Sequence, residues 1–308
     1  MTLQQLNYLI SLDNNKHFLN AAEECGVTQP TLSSMIQKLE DELDVKLFDR
    51  THQPLQTTEI GKEIVAQAKL VLNCAEQIFE IINNKKESLE GKLNMAIIPT
   101  IAPYLLPKFI IEFRKKYPNV DLSIEEMKTS DIIFNLNNSK IDIGILATPL
   151  NYNNLLEIPL YYEKFFAYIS PKDDLFSETI LSADKMPLEN LWVLKEGHCL
   201  RNQVFNFCSE KSKGKPIYEA GSIDTLIKII DENGGYTVIP ELHLQFLTEV
   251  QLKNIREIEN PQGVREVSII IKNDFIRERL LNVVVDNVKS IIPNYMIDDR
   301  LKKFAVRL

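Results

Sequence analysis

Cysteine is scarce in this chain of 308 residues, which contains only Cys25, Cys74, Cys199 and Cys208. So sparse a set excludes the disulfide framework of small secreted proteins. No run of about 18 apolar residues is free of charge, so we expect no membrane span. No apolar segment follows a basic N-terminus, so we expect no signal peptide. The expected compartment is the cytoplasm, where a standing disulfide is rare and a transient one can act as a signal.

An excess of positive charge is also missing, because the net charge is −8. This balance argues against a globally basic nucleic-acid-binding protein, although a local group of cations would suffice. Metal binding has no support, since nothing in the chain approaches the cysteine and histidine spacing of a metal site. We therefore expect no cofactor.

Residues 1–58 nevertheless carry the pattern of a helix-turn-helix. Apolar residues recur at helical spacing from Leu3 to Leu12, and a second helix begins near Phe18. Gly26 supplies a tight turn, and Thr28 is a good N-cap for a third helix that runs to about Leu43. In this arrangement the helix after the turn enters the DNA major groove. On pattern alone, a helical hairpin with a polar outer face is an equal alternative.

The polar side of the third helix carries amide, hydroxyl and cationic groups, which hydrogen-bond base edges and phosphates. Residues 1–58 hold four Lys and Arg residues against eight acidic ones. Affinity for DNA must therefore come from a few positioned cations, helix N-termini and dimeric binding. The residues predicted on this side are Gln29, Pro30, Thr31, Ser33, Ser34 and Lys38.

One long helix is predicted over residues 59–83. Its apolar residues recur at spacings of three and four from Ile60 to Ile82, which indicates a seam for a partner helix and a homodimer. Cys74 lies beside this seam, where we expect a buried, inert thiol. The polar segment 84–91, which ends at Gly91, reads as a hinge.

Residues 92–308 alternate between strand and helix patterns. Such alternation predicts a mostly parallel sheet covered by helices, and hence an α/β fold behind the all-α N-terminal domain. The chain crosses twice between two lobes, lobe I at about 92–161 plus 268–308 and lobe II at about 162–267. A cleft is expected between the lobes, at the carboxyl ends of the strands.

Two cysteines nine residues apart form the most informative motif. Cys199 follows His198 directly, with Lys195 and Arg201 nearby, and neighbouring cations favour the reactive thiolate. Residues 200–207 read as roughly two helical turns. At ~1.5 Å rise per residue, such a helix separates the Cα atoms of Cys199 and Cys208 by about 13 Å, whereas a disulfide needs roughly 7 Å. Bridging the two cysteines must therefore break the helix, which would make oxidation a conformational switch.

The order of these segments resembles the LysR-type transcriptional regulators. The resemblance spans the whole chain and is most specific over residues 1–65. It implies a winged helix-turn-helix, a periplasmic-binding-protein-like effector domain, a homotetramer, operator DNA as partner and RNA polymerase as a further one. The wing at residues 51–54 lacks the extra basic residues common in the family, which leaves Arg50 as its main phosphate contact. The motifs that carry the resemblance are Ala21-Ala22, Val27 to Ser33, Ile36, Leu39-Glu40, Leu47 to Arg50, and Thr57-Thr58 before Gly61.

Within the family, residues 197–201 with Cys208 resemble the members that sense hydrogen peroxide, and residues 98–107 support the same assignment. The resemblance implies that Cys199 is the peroxidatic thiol and Cys208 the resolving thiol, with a cellular thiol reductant to reset them. Asn202 stands where relatives often have Asp. The implied peroxide pocket consists of Thr100, Thr129, His198 and Arg265. Thr100 also has the simpler interpretation of a helix N-cap.

The favoured function is a peroxide-responsive transcription regulator that is not an enzyme. A LysR-type regulator of a small organic effector, with inert cysteines, is the first alternative. A thiol peroxidase is the second, and it leaves the helix-turn-helix and the helical seam unexplained.

Overall fold

The computed structural model describes residues 1–83, 89–150, 152–183, 186–187, 190–207, 219–259 and 262–297. The chain forms two compact units, Met1–Glu87 and Ser88–Leu308. No helix among these residues is long and apolar enough to cross a membrane.

The first unit is helical apart from a short two-stranded antiparallel ladder, whose strands lie on either side of the wing predicted at residues 51–54. Thr28 caps the third helix as predicted, since its hydroxyl accepts a hydrogen bond from the Thr31 amide at 3.4 Å. Gly26 adopts a φ of +65° in the turn before it, a conformation that favours glycine. The elements are α1 (Leu3–Asn15), α2 (Phe18–Glu24), α3 (Gln29–Leu43), β1 (Phe48–Asp49), β2 (Gln56–Thr57) and α4 (Glu59–Asn83).

The core of this unit lies where α1, α2 and α3 meet. Leu32, Ile36 and Leu39 of α3 are fully buried, as their spacing predicts, whereas Met35 is only half-buried. Helix α4 joins the core through Val65 and Ala68. The helices thus bury one apolar face each and leave the polar face of α3 exposed.

Helix α4 has the predicted bounds, but Cys74 is exposed, so the expectation of a buried thiol is wrong. The first unit covers only the N-terminal half of the helix, through Val65 and Ala68. Ile78, a residue of the predicted seam, is 62% exposed. The helix therefore presents apolar surface that this unit leaves uncovered, and its pairing with a second copy stays a prediction. Residues 84–88 of the predicted hinge lie outside the described residues, and Gly91 begins the next strand.

The second unit is built on an eight-stranded mixed sheet and a small sheet of two parallel strands. Its elements are β3 (Gly91–Ile97), α5 (Ala102–Lys116), β4 (Val120–Glu126), α6 (Thr129–Asn137), β5 (Ile143–Thr148), β6 (Leu155–Ile169), β7 (Ile180–Ser182), β8 (Val193–Leu194), α7 (Cys199–Phe207), β9 (Glu219–Ala220), α8 (Ile223–Asn233), β10 (Tyr236–Pro240), α9 (Glu249–Leu252), β11 (Ile255–Glu259), β12 (Val264–Lys272) and α10 (Glu278–Ile291). The strand order is β4-β3-β5-β12-β6-β11-β7, and β10 also pairs with β6.

The expectation of a mostly parallel sheet is wrong. Strand β3 runs parallel to β4 and β5, but β12 is antiparallel to both β5 and β6, and β6 is antiparallel to β10 and β11. The reason is that β6 leaves the first half of the unit and β12 returns to it, so the two crossings run in opposite directions. An apolar strand pattern carries no information about direction.

Two hydrophobic cores lie along this sheet. The first core contains α5, α6, α10 and the strands around β3, and the second contains α8, β10 and the C-terminal part of β6. Cys199 belongs to the first core, whereas Leu200 and Val204 of the same helix belong to the second. Helix α7 therefore joins the two cores at its first turn.

A substitution at Gly61 tests how closely α4 packs in the first unit. A Cβ atom at this position would lie 2.2 Å from the Leu47 carbonyl oxygen, which is backbone and cannot turn aside. We expect Gly61→Ala to lower the free energy of unfolding by about 1–3 kcal/mol, the usual cost of overpacking, although alanine favours helix. Urea unfolding followed by circular dichroism measures this.

The matched control is Glu63→Ala, an exposed change to the same residue on the same helix. It should alter the free energy of unfolding by no more than about 0.5 kcal/mol. Equal stability of the two variants would contradict the close approach at Gly61.

Candidate functional site

The candidate redox centre lies at the first residue of α7. Cys199 is 5% exposed, and His198 before it is also buried. Gly197 has a φ of +94°, which turns the chain into the helix. The described helix reaches Phe207, in agreement with the two turns that the sequence predicts. Cys208 lies outside the described residues, so its distance from Cys199 stays a prediction.

Arg265 and Glu163 form a buried ion pair next to this centre. Both side chains are 0% exposed, and the Arg265 Nε donates to Glu163 Oε1 at 2.6 Å. The two residues face each other in the β12–β6 register, so the pair links the two crossing strands. The second carboxylate oxygen of Glu163 accepts from the Leu242 amide at 3.2 Å. Tyr104 donates its hydroxyl to Glu163 at 3.0 Å and accepts a bond from Arg265.

Arg265 also holds Thr100 in two ways. One terminal nitrogen donates to the Thr100 hydroxyl at 3.1 Å, and the other donates to its carbonyl oxygen at 3.0 Å. These hydrogen bonds join two of the four residues predicted for the peroxide pocket. The N-cap of α5 is Ile101 rather than Thr100, so the alternative interpretation of Thr100 as a cap is wrong.

The charge of Arg265 is secured by its surroundings. Burial acts to lower its pKa, but the Glu163 carboxylate, the Tyr104 and Tyr161 hydroxyls and the Cys199 sulfur together raise it above the ordinary value. A permanent cation thus lies within electrostatic range of Cys199.

His198 and Thr100 line one small cavity of about 30 Å³, together with Tyr104, Asp224 and His243. That volume accommodates one or two water-sized molecules. His198 also borders an open cleft of about 490 Å³, whose other walls include Lys128 and Asp131. Thr129, at the start of α6, has a buried hydroxyl without a hydrogen-bond partner among the described residues. Thr129 is not among the residues that line either cavity.

Both buried histidines of this region are held toward the neutral form. Burial and then the charges of Lys128 and Lys195 lower the pKa of His198. Burial also lowers the pKa of His243, with Arg265 acting in the same direction and Asp224 against it. Sequence reasoning overlooked His243, which is 3% exposed, with its Nε2 3.6 Å from an Asp224 oxygen. The only feature of the sequence that indicated a buried His243 is its position shortly after an apolar strand.

The candidate DNA-binding surface is the polar side of α3. All six of its predicted residues are exposed except Ser33, which is half-exposed, and Pro30 lies in the first turn. Arg50 is exposed too, but its guanidinium lies 3.4 Å from Glu40 and 5.3 Å from the centre of the Phe18 ring.

Glu40 is a residue whose role the sequence pattern did not reveal. Its buried carboxylate accepts from the amides of Leu47 at 2.8 Å and Phe48 at 3.3 Å, and it pairs with Lys46 and Arg50. One carboxylate on α3 thus fixes the start of the wing and orients its two cations.

Comparisons with known proteins agree with this organisation. Residues 3–62 match the family described as bacterial regulatory helix-turn-helix protein, lysR family, and residues 86–290 match the LysR substrate binding domain. The chain belongs to the LysR family. A "hydrogen peroxide-inducible genes activator" from Haemophilus influenzae is 32% identical over 301 residues, which cover 95% of this chain and 99% of the relative.

Two further comparisons concern proteins named OxyR. The "DNA-binding transcriptional dual regulator OxyR" of Escherichia coli is 33% identical over 243 residues, which cover 79% of this chain and 80% of the relative. A solved structure of a full-length OxyR variant from Pseudomonas aeruginosa is 31% identical and covers 94% of this chain and 95% of its own, with a TM-score of 0.77. The LysR-family architecture therefore extends over nearly all of this chain.

The two neutral histidines predict how stability depends on pH. Because their folded-state pKa values lie below the ordinary value of about 6.5, the unfolded chain binds protons first as pH falls. Their contribution is intact above about pH 6.5 and is lost as pH falls through the folded values. We expect the free energy of unfolding to fall between pH 7.5 and 5.5, and His243→Gln to reduce that fall.

Urea unfolding of both proteins at the two pH values measures the effect, and each protein serves as its own reference. His17→Gln is the control, because the His17 side chain is exposed. An identical pH dependence in wild type and His243→Gln would contradict the neutral state assigned to His243.

Proposed function

We propose that this LysR-family protein is a hydrogen-peroxide-responsive, DNA-binding transcription regulator and not an enzyme. The observation that carries the proposal is the position of Cys199, a buried thiol of the first core within electrostatic range of Arg265, at the start of a helix that also enters the second core. The names of the relatives point to the same signal. Operator DNA is its partner, and the cytoplasm supplies both the DNA and a thiol reductant.

The chemistry proceeds in two steps. The Cys199 thiolate attacks one peroxide oxygen, the O–O bond breaks, and the other oxygen leaves with a proton as water. Cys199 becomes a sulfenic acid, and the Cys208 thiolate then attacks its sulfur, forms the disulfide and releases a second water. A cellular thiol reductant returns both residues to thiols. We assign the peroxide pocket to Thr100, Thr129, His198 and Arg265.

Disulfide formation requires α7 to unwind. The helix is continuous from Cys199 to Phe207. At ~1.5 Å rise per residue its two ends lie about 12 Å apart, so we infer that Cys199 and Cys208 cannot reach the roughly 7 Å needed for a disulfide while the helix is intact. Leu200 and Val204 are buried in the second core, so unwinding must remove or repack them. Oxidation thus shifts the equilibrium between two packings, and the new packing changes how subunits meet.

The oligomer transmits that change to DNA. We propose that residues 1–58 bind operator DNA, that helix 59–83 pairs two copies through its exposed apolar residues, and that 84–91 is a hinge. Lobes I (about 92–161 plus 268–308) and II (about 162–267) then form the redox-sensing domain of a homotetramer. Oxidation changes how the tetramer spaces its DNA-binding domains. RNA polymerase is the further partner through which this changed spacing affects transcription.

DNA footprinting with reduced and peroxide-treated protein tests the switch. Wild type should change its footprint on oxidation, and Cys199→Ser should keep the reduced footprint under peroxide. Cys208→Ser should form sulfenic acid at Cys199 yet change its footprint less than wild type. The control is Cys25→Ser, which should respond as wild type does.

Three results would contradict this proposal. A full footprint change in Cys199→Ser would favour an organic effector bound in the 490 Å³ cleft. A full change in Cys208→Ser would show that the disulfide is not the trigger. Steady-state consumption of peroxide with a thioredoxin-like donor would favour a thiol peroxidase.

Salt dependence of DNA binding tests the interface. Lys38→Ala and Arg50→Ala should each weaken binding and lower the slope of log K against log salt by roughly one, because each phosphate contact releases about one counterion. Lys172→Ala, in the second unit, is the control and should leave the slope unchanged. Unchanged slopes in both test variants would place the interface elsewhere.

A further inference from the structure

The side chain of Lys128 contacts the turn that leads into α7. Lys128 is the N-cap residue of α6, which packs in the first core, and its Nζ donates to the carbonyl oxygen of Glu196 at 3.1 Å. The two residues are 68 positions apart. This bond therefore connects α6 to the residue three positions before Cys199.

Gly197 allows this contact. A Cβ atom at Gly197 would lie 2.8 Å from the Cδ and 3.2 Å from the Nζ of Lys128, so the lysine lies against the bare face of the glycine. The φ of +94° at the same residue also favours glycine. The turn at 196–198 is thus shaped around the Lys128 side chain by both backbone conformation and packing.

The charge of Lys128 acts on His198, which follows this turn. After burial, Lys128 is the largest influence that lowers the pKa of His198, ahead of Lys195. The other charged or titratable groups that line the same two cavities as His198 are acidic groups of the cleft and three groups of the small cavity. They are Glu125, Glu126, Asp131, Tyr104, Asp224 and His243.

We propose that Lys128 is a positioning residue for the oxidation of Cys199. Its side chain holds the Glu196–Gly197 turn in place. The turn then positions His198 and Cys199 near Thr100 and Arg265. The inference rests on the proposed peroxide response. It also gives the switch a specific starting contact, because unwinding of α7 from its first residue disturbs the turn that Lys128 holds.

The test measures how fast peroxide forms sulfenic acid at Cys199 in the full-length chain, with Cys208→Ser in every protein so that only this step is observed. Lys128→Met removes both the donor and the charge and keeps the length of the side chain. We expect it to slow oxidation roughly tenfold, the effect of losing a charge-assisted hydrogen bond. Lys128→Arg should restore most of the rate, and Lys115→Met, an exposed lysine of α5, should leave it unchanged.

The second readout is the pH midpoint of the His198 ring, followed by NMR in the same proteins. In Lys128→Met it should rise toward about 6.5, whereas in Lys128→Arg and Lys115→Met it should stay at the wild-type value. A wild-type rate together with a wild-type midpoint in Lys128→Met would overturn the proposal. A slower rate without the change in midpoint would also overturn it, since a merely structural role would do the same.

Failure of the peroxide response itself gives a different result. In that case no protein of the series, wild type at Lys128 included, forms sulfenic acid at Cys199. The role of Lys128 in oxidation then falls with the response, while the midpoint of His198 still shows whether the lysine acts on the imidazole.

Discussion

The buried pair of Arg265 and Glu163 is the contact on which the organisation of the redox site depends. Two charges in a protein interior are tolerated only when they are paired and hydrogen-bonded. Here each partner is further bonded, Arg265 to Thr100 and Glu163 to the Leu242 amide. The pair bridges the two strands that cross between the cores, and it fixes the turn after β3 against them. A cation is thereby held within electrostatic range of Cys199 without being free to move toward solvent.

In the proposed mechanism, helix α7 is the part of this arrangement that switches. Its first residue, Cys199, packs with the first core, and Leu200 and Val204 pack with the second. A covalent change at Cys199 therefore acts on both cores at once. In that mechanism Arg265 stays in place on oxidation, whereas α7 and the turn before it rearrange.

Much of the fold could be predicted from the sequence because the relevant signals are local. Helical spacing and the Thr28 cap gave the helices of the first unit, and the bounds of α4 followed from its apolar repeat. Strand direction could not be predicted, since it depends on which strands become neighbours. The expectation that Cys74 is buried was wrong, because an apolar repeat along α4 does not show which part of the helix the rest of the chain covers.

The site was predictable only in part, for the same reason. Cys199 and His198 could be predicted because they are neighbours in sequence. Thr100 and Arg265 were predicted only from the family resemblance. Glu163 and Lys128 act across distances of 102 and 68 residues, which no local pattern reveals. Glu163 and Arg265 each lie within a mainly apolar strand, but each strand carries further charged residues, so the sequence did not single out this pair.

The most direct test of this account is the rate of Cys199 oxidation in the double variant Glu163→Leu, Arg265→Met. Replacing both partners of a buried ion pair by apolar residues is often neutral for stability, so the protein should remain folded. Without the cation, the rate should fall at least roughly tenfold, which corresponds to about 1.4 kcal/mol in activation free energy. A folded double variant that reacts with peroxide as fast as wild type would contradict the central role of the pair.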